Sequence, residues 1–270
     1  MPAPRSVSEV FHDNTFYLPF SYGLVLLPVV YFAVPRLLPR YFSTSKAKAW
    51  ILTMVAALTM TLGSLPVLWD FFTQPHSAAA WASLDASLSR GLCAFFITYV
   101  IHDLVLGHFF YPEHMDPWSG YFHHTLYTFL VFNIVRYRIS SLFSMVGIME
   151  LPTLIMSLGC INKSLRNDAL FGGSYLATRI LFHIYCIYHF YLSFIPAGRP
   201  LGFIISVAVF PLHVMWFRGF IKQQLRLHRQ RKEQQKQAAL QAAPKNPEPK
   251  PKSNRPARQN KQQRRLSVSS

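Results

Sequence analysis

Apolar positions along this chain are gathered into long uninterrupted runs, at residues 16–34, 49–72, 91–111, 141–161, 172–194 and 201–217. Each run is close to the roughly 20 residues a helix needs to cross the hydrocarbon core of a bilayer. A further segment, residues 121–139, is the least apolar of the set. It predicts either a short span buried among the others or a re-entrant segment, the two settings in which polar backbone is tolerated at membrane depth. The pattern thus predicts an all-α polytopic membrane protein with about seven transmembrane helices.

The polar residues that interrupt the runs are few. The first run follows a short lead holding one cation, Arg5. It is too long for a signal-peptide core and lacks a basic leader, so it is expected to stay as a span. Arg36, Arg40, Lys46 and Lys48 follow it and predict a cytosolic loop there, with the N-terminus on the far side. In the third run, Tyr99, His102, Asp103 and Leu106 fall on one helical face and His108 points away from it. The fifth holds Glu150 ahead of Leu151-Pro152-Thr153, where the proline predicts a kink and a freed backbone carbonyl. The sixth carries Arg179 and His183 four residues apart, with Tyr175 and Cys186 on the same face and His189 well off it. Arg179 is the natural partner for Glu150 or Asp103, because a charge at membrane depth calls for compensation.

Composition sharpens this picture. Charged residues make up 14% of the 270 positions, against about 25% in soluble domains. The net charge of +16 is concentrated after residue 217, where 15 Lys/Arg meet 2 Asp/Glu. It describes a basic cytosolic tail and does not describe a body that binds nucleic acid. The domain plan that follows is 1–48 for the first span and its loop, 49–217 for the main membrane domain, and 218–270 for a tail expected to be largely disordered, with a basophilic kinase spacing before Ser267. An odd number of spans puts that tail in the cytosol, in agreement with its charge. Cys93, Cys160 and Cys186 show no metal-ligand spacing and read as buried hydrophobes.

The candidate chemistry centres on the adjacent pair His123-His124, which opens the segment leading to Asn133 and Arg136. A sequestered imidazole titrates near neutrality and serves as general base or acyl acceptor. With Glu150 or Asp103 to orient a ring and Arg179 to hold a headgroup, such a cavity suits lipid chemistry. Di-iron desaturase chemistry is disfavoured, since the HxxxH and HxxHH boxes it needs are missing. A bis-histidine haem between His102 and His183 stays geometrically open.

His123-His124, then Met149-Glu150-Leu151-Pro152-Thr153, then Phe171-Gly172-Gly173 opening a span with Arg179 and His183, together resemble the TLC-domain family of ceramide synthases and translocation-associated membrane proteins. The resemblance covers roughly residues 49–217. Only His123 and His124 match the ceramide-synthase pattern, since Asn133 and Arg136 stand at other offsets, so the chain resembles a non-ceramide-synthase member. The resemblance implies a six-helix barrel preceded by one helix, in the endoplasmic reticulum or another endomembrane. The expected site is an intramembrane lipid cavity lined by His102, Asp103, Glu150, Arg179 and His183, with His123 and His124 as candidate catalytic residues, no metal and no cofactor. Membrane lipids are the expected partners. The function expected is lipid binding in lipid metabolism or membrane-composition homeostasis, or alternatively acyl transfer with acyl-CoA as co-substrate.

Overall fold

The structure, a computed structural model, describes residues 3–74 and 84–242. Of the tail expected to be largely disordered, residues 218–242 are helical, and the rest, with the Ser267 spacing, lies outside the described residues. Among those residues there is no strand, and the protein is an all-α, multi-pass membrane protein. Its helices are α1 (Val7–His12), α2 (Asn14–Leu37), α3 (Ser45–Ala49), α4 (Ile51–Thr73), α5 (Ser87–Phe110), α6 (His123–Arg136), α7 (Ser140–Val146), α8 (Leu151–Ile161), α9 (Asp168–Tyr175), α10 (Phe182–Phe194) and α11 (Leu201–Ala242). The chain divides into two compact units, residues 1–221 and 222–270, the second beginning within α11.

Contacts between chain ends show how the first unit is threaded. At one end, the Arg5 N–H donates to the Arg136 carbonyl at 2.8 Å and the Ser141 N–H donates to the Leu84 carbonyl at 3.3 Å. The Arg199 guanidinium donates to the Tyr137 carbonyl at this same end. At the opposite end, Ser45 Oγ donates to Glu113 Oε1, and Gly159 lies against Arg166. The chain therefore passes along the bundle seven times in alternating directions. Six passes are long and apolar enough to cross a membrane. The remaining one is α6, 14 residues long and preceded by a single π-helical segment, Pro117–Phe122.

Two runs are broken where the sequence dictates. Pro152 sits in the first turn of α8, and ahead of it Gly147–Glu150 forms a 3-10 segment that separates α7 from α8. Proline has no N–H to give, so the preceding backbone cannot continue its α pattern. The other break is the π-helical segment Leu176–Leu181 between α9 and α10, which holds Arg179. The sixth run also begins earlier than residue 172. Asn167 caps α9 by accepting from the Leu170 N–H at 2.9 Å, and Gly172 lies inside the helix, where a Cβ would come within 2.7 Å of the Phe220 ring.

The short lead and the polar stretch 73–90 between the second and third runs both differ from what the pattern predicts. The lead folds into α1, whose Ser6 and Glu9 form a reciprocal cap. The third run begins at Ser87, four residues inside the expected loop. Arg5, Asp13, Asp85 and Arg90 meet there: Arg5 Nη1 is 2.7 Å and Arg90 Nη1 3.2 Å from Asp85 Oδ2, and Arg90 Nε is 2.8 Å from Asp13 Oδ2. Two positive and two negative charges cancel, which lets them be nearly covered. Arg138 adds to this end. It adopts φ 58° and closes α6, with the Arg138 N–H donating to Val135 and the Ile139 N–H to Ile134, both at 3.1 Å. Glycine usually occupies this position. Here the side chain compensates, its Nε donating to the Ala3 carbonyl at 3.2 Å.

Burial by itself would push the Asp13 carboxyl up, but hydrogen bonds from Thr15 and the charges of Arg90 and Arg5 outweigh it and hold its pKa below the ordinary value. A depressed carboxylate contributes stability in full above its unfolded pKa, near 4, and loses it as pH falls through the folded value. Residues 3–13 should therefore stay protected from hydrogen exchange at pH 6 and become labile below about pH 4. Equal protection at both values would show that the charge cluster does not hold the segment.

Candidate functional site

One face of α11 presents Gly202, Ile205, Ser206, Val209 and His213 at helical spacing. Facing it are Tyr127, Leu130 and Ile134 of α6, the α7 residues Leu142, Phe143 and Val146, and Arg179, His183 and Phe190 from the α9–α10 run. Met60 of α4 and Phe96 of α5 complete the wall of a cavity of about 110 Å³. All passes except α2 contribute. That helix packs outside on α5, so closely at Gly23 that a Cβ would fall 2.2 Å from Thr98 Oγ1.

The wall is apolar apart from one corner, built by the two broken runs. Arg179 Nε donates to the Met149 carbonyl at 2.7 Å, beside the proline break, and its Nη2 donates to Thr153 Oγ1 at 2.7 Å and to Glu150 Oε1 at 3.2 Å. The guanidinium also lies 5.5 Å from the centroid of the Tyr175 ring, a favourable cation–π distance. Next to it, His183 Nδ1 is 2.9 Å from His213 Nδ1, and His183 Nε2 is 3.0 Å from the Ser206 carbonyl. Tyr175 donates its hydroxyl to the His213 carbonyl at 3.1 Å, which fixes α9 to α11.

A second polar group lies outside this wall. Asp103 accepts from the Tyr111 hydroxyl at 2.8 Å. His124 Nδ1 is 3.1 Å from Asp103 Oδ2, but the angle falls outside hydrogen-bond geometry. The contact is one of proximity. The His123 ring lies against that of Tyr127, with centroids 4.3 Å apart and planes tilted by 37°, and of the two only Tyr127 lines the cavity. His102 turns to its own helix, with Nδ1 2.7 Å from the Thr98 carbonyl.

Comparison with protein-family models, with curated proteins and with solved structures gives no match to this chain.

The structure thus brings Glu150, Arg179 and His183 together on one cavity wall, and groups Asp103 with His124 around Tyr111. His102 joins neither group. Of the two partners expected for Arg179, Glu150 is the one it takes. Sequence reasoning placed His213 in the last run without giving it a role and left out Ser206 and Tyr127. The available signal was spacing, since Ser206 and His213 are seven residues apart and share a face. Among the described residues, no group of three or more His, Cys, Asp or Glu side chains is placed to hold a metal ion.

The mouth of the histidine helix is set by Asp116, which accepts from the backbone N–H groups of Trp118 and Ser119 at 2.9 and 2.8 Å. Those bonds, that of Ser119 first, hold its carboxyl below the ordinary range.

Removing Arg179 alone leaves Glu150 without its counter-charge and the Met149 carbonyl without its donor. Arg179→Met should cost about 3 kcal/mol, whereas Arg179→Met with Glu150→Met should recover most of that loss, because breaking half of a covered pair is worse than removing it. Thermal unfolding of detergent-solubilised single and double variants measures the difference. Additive losses would mean that the two residues do not depend on each other.

Proposed function

We propose that this chain is a TLC-like integral membrane protein of an endomembrane such as the endoplasmic reticulum, that it binds lipid in its intramembrane cavity, and that it takes part in lipid metabolism or membrane-composition homeostasis. The observation carrying the reading is the wall itself: an apolar cavity inside the membrane passes with one compensated polar corner. Apolar walls with few convergent polar groups are the usual make-up of small-molecule sites. At about 30 Å³ per water, 110 Å³ admits the polar end of a lipid and a short stretch of chain. A second cavity, about 310 Å³, lies between Tyr137, Phe194 and Ile204 and shares Gly202 with the first. It gives the remaining chain a place to lie.

Lipid extracted from purified protein and identified by mass spectrometry tests this. A Cβ at Gly202 would come within 3.1 Å of the Phe194 ring and 3.2 Å of Leu142 Cδ2, so Gly202→Leu plugs the junction. Wild type should carry a defined lipid at near-stoichiometric amount, and Gly202→Leu, if still monodisperse, should carry at least fivefold less. Equal lipid in both, or none in wild type, would refute the cavity as a lipid site.

A second reading, acyl transfer with acyl-CoA as co-substrate, draws on His124 beside Asp103 and on His123 against Tyr127. A carboxylate next to an imidazole is the arrangement that orients a general base. Lipidomics of cells lacking the protein, restored with wild type or with His123→Ala and His124→Ala, separates the two. A transferase predicts a missing lipid species that neither variant restores. A binder predicts restoration by both.

For topology, the positive-inside rule makes the loops bearing Arg36, Arg40, Lys46, Lys48 and Lys163 cytosolic, and the same rule makes the basic C-terminus cytosolic. At the other end Arg5 and Arg90 are matched by Asp13 and Asp85, while Arg136, Arg138 and Arg199 also lie there, so the 15 Lys/Arg after residue 217 carry most of the asymmetry. A glycosylation acceptor appended after Ser270 should remain unmodified in microsomes. Its modification would reverse the orientation.

A further inference from the structure

Resting on the lipid-cavity reading, we infer that the lipid head taken by the cavity is neutral and carries a free hydroxyl, and that Glu150, with His213 beside it, receives that hydroxyl. An anionic headgroup would be expected to seek Arg179. The structure gives most of Arg179 other work: its Nε is spent on the Met149 carbonyl, its Nη2 on Thr153 and Glu150, which leaves the two N–H groups of Nη1, and its charge is cancelled by the Glu150 carboxylate 3.2 Å away. A second carboxylate or phosphate arriving there would have to displace Glu150 or sit against it. Like charges in a low-dielectric site repel strongly.

Besides Nη1, what the corner still offers is acceptors. Glu150 meets Arg179 through Oε1, and 28% of its side chain stays uncovered, on the cavity wall. The histidine pair adds another, by hydrogen-bond logic. His183 Nε2 is 3.0 Å from the Ser206 carbonyl, which only accepts, and 3.1 Å from Ser206 Oγ, which can accept as well, so we assign its proton to that nitrogen. With both rings neutral, as an apolar wall favours, His183 Nδ1 is then an acceptor. The proton shared across the 2.9 Å Nδ1 to Nδ1 contact belongs to His213. The lone pair of His213 is left on Nε2, on a residue that lines the cavity.

Two acceptors and a cancelled charge fit one class of head. A hydroxyl gives its one proton to either acceptor, takes a hydrogen bond from Arg179 Nη1 on its own oxygen, and leaves the corner neutral. A protonated amine could also donate, but it would bring an unbalanced positive charge into an apolar enclosure, which is costly. The class is therefore a neutral hydroxyl lipid, whether a diacylglycerol or a sterol.

The test uses the full-length protein, stripped of lipid in detergent and returned to phosphatidylcholine liposomes doped with one photoactivatable probe at a time. The probes are a 1,2-diacylglycerol, its 3-O-methyl ether, a sterol, a long-chain amine and a phosphatidic acid. Labelling is read by mass spectrometry on peptides from 142–150 and 201–213. The diacylglycerol or the sterol, and comparison of the two tells which, should label these peptides at least tenfold more than phosphatidic acid or the amine. The methyl ether should lose most of the diacylglycerol signal if that is the lipid taken. Glu150→Gln, which frees the Arg179 charge, should shift the preference towards phosphatidic acid. Preference for phosphatidic acid or the amine in wild type overturns the inference and leaves the lipid cavity standing. Undiminished labelling by the methyl ether, with the diacylglycerol itself labelling, overturns it in the same way. If no probe labels the cavity peptides, the lipid-cavity reading falls and takes the inference with it. The wild-type comparisons decide even if Glu150→Gln fails to fold.

Discussion

The guanidinium of Arg179 ties together the two runs that fail to remain regular helices. Pro152 interrupts one and a π-helical segment interrupts the other, and each break alone would leave backbone groups unanswered in an apolar surround. Arg179 spans both: it rises from the π segment and donates to the Met149 carbonyl beside the proline break. Its charge then requires Glu150, and the pair sets the depth and direction of the polar corner. His183, one turn on, inherits its position from the same segment, and through His213 the arrangement reaches α11. The cavity is the space that these constraints hold open.

How much of this was legible in the sequence depends on the range of the interaction. Six of the passes follow from run length, since crossing a bilayer fixes both length and polarity. The shared face of Tyr175, Arg179, His183 and Cys186 was readable for a similar reason, and in the structure Tyr175, His183 and Cys186 are buried together. The choice of Glu150 over Asp103 as the partner of Arg179 was not readable. It depends on which passes lie side by side, and Asp103 had a closer claimant in Tyr111, at the end of its own helix. His213 and Ser206 were overlooked because a histidine and a serine in a span have no periodic signature of their own. Their significance comes only from the run opposite.

The greatest miss was at the N-terminal end of the bundle. Arg5, Asp13, Asp85 and Arg90 look like ordinary surface residues in a polar lead and a polar loop, and nothing in local patterning joins positions so far apart. In the structure they cancel each other, and that cancellation is what lets the third run begin inside the expected loop. The same logic governs both ends of the molecule: charges are admitted where the fold supplies an opposite.

The distances in sequence between these charges have a consequence for the order of synthesis. Arg5 and Asp13 emerge almost together, but the Arg5 carbonyl waits for Arg136, 131 residues later. At about 5–20 residues per second, that is an interval of roughly 7 to 26 s. For the first part of it α2 is already made while α5, the helix against which its Gly23 face packs, is still incomplete. The newborn chain therefore holds an unassembled first helix and a half-matched charge cluster until α5 has been made, and an unanswered Arg5 carbonyl until three later passes, α4, α5 and α6, have been threaded. Any factor that shelters membrane helices during biogenesis would meet this protein in that interval.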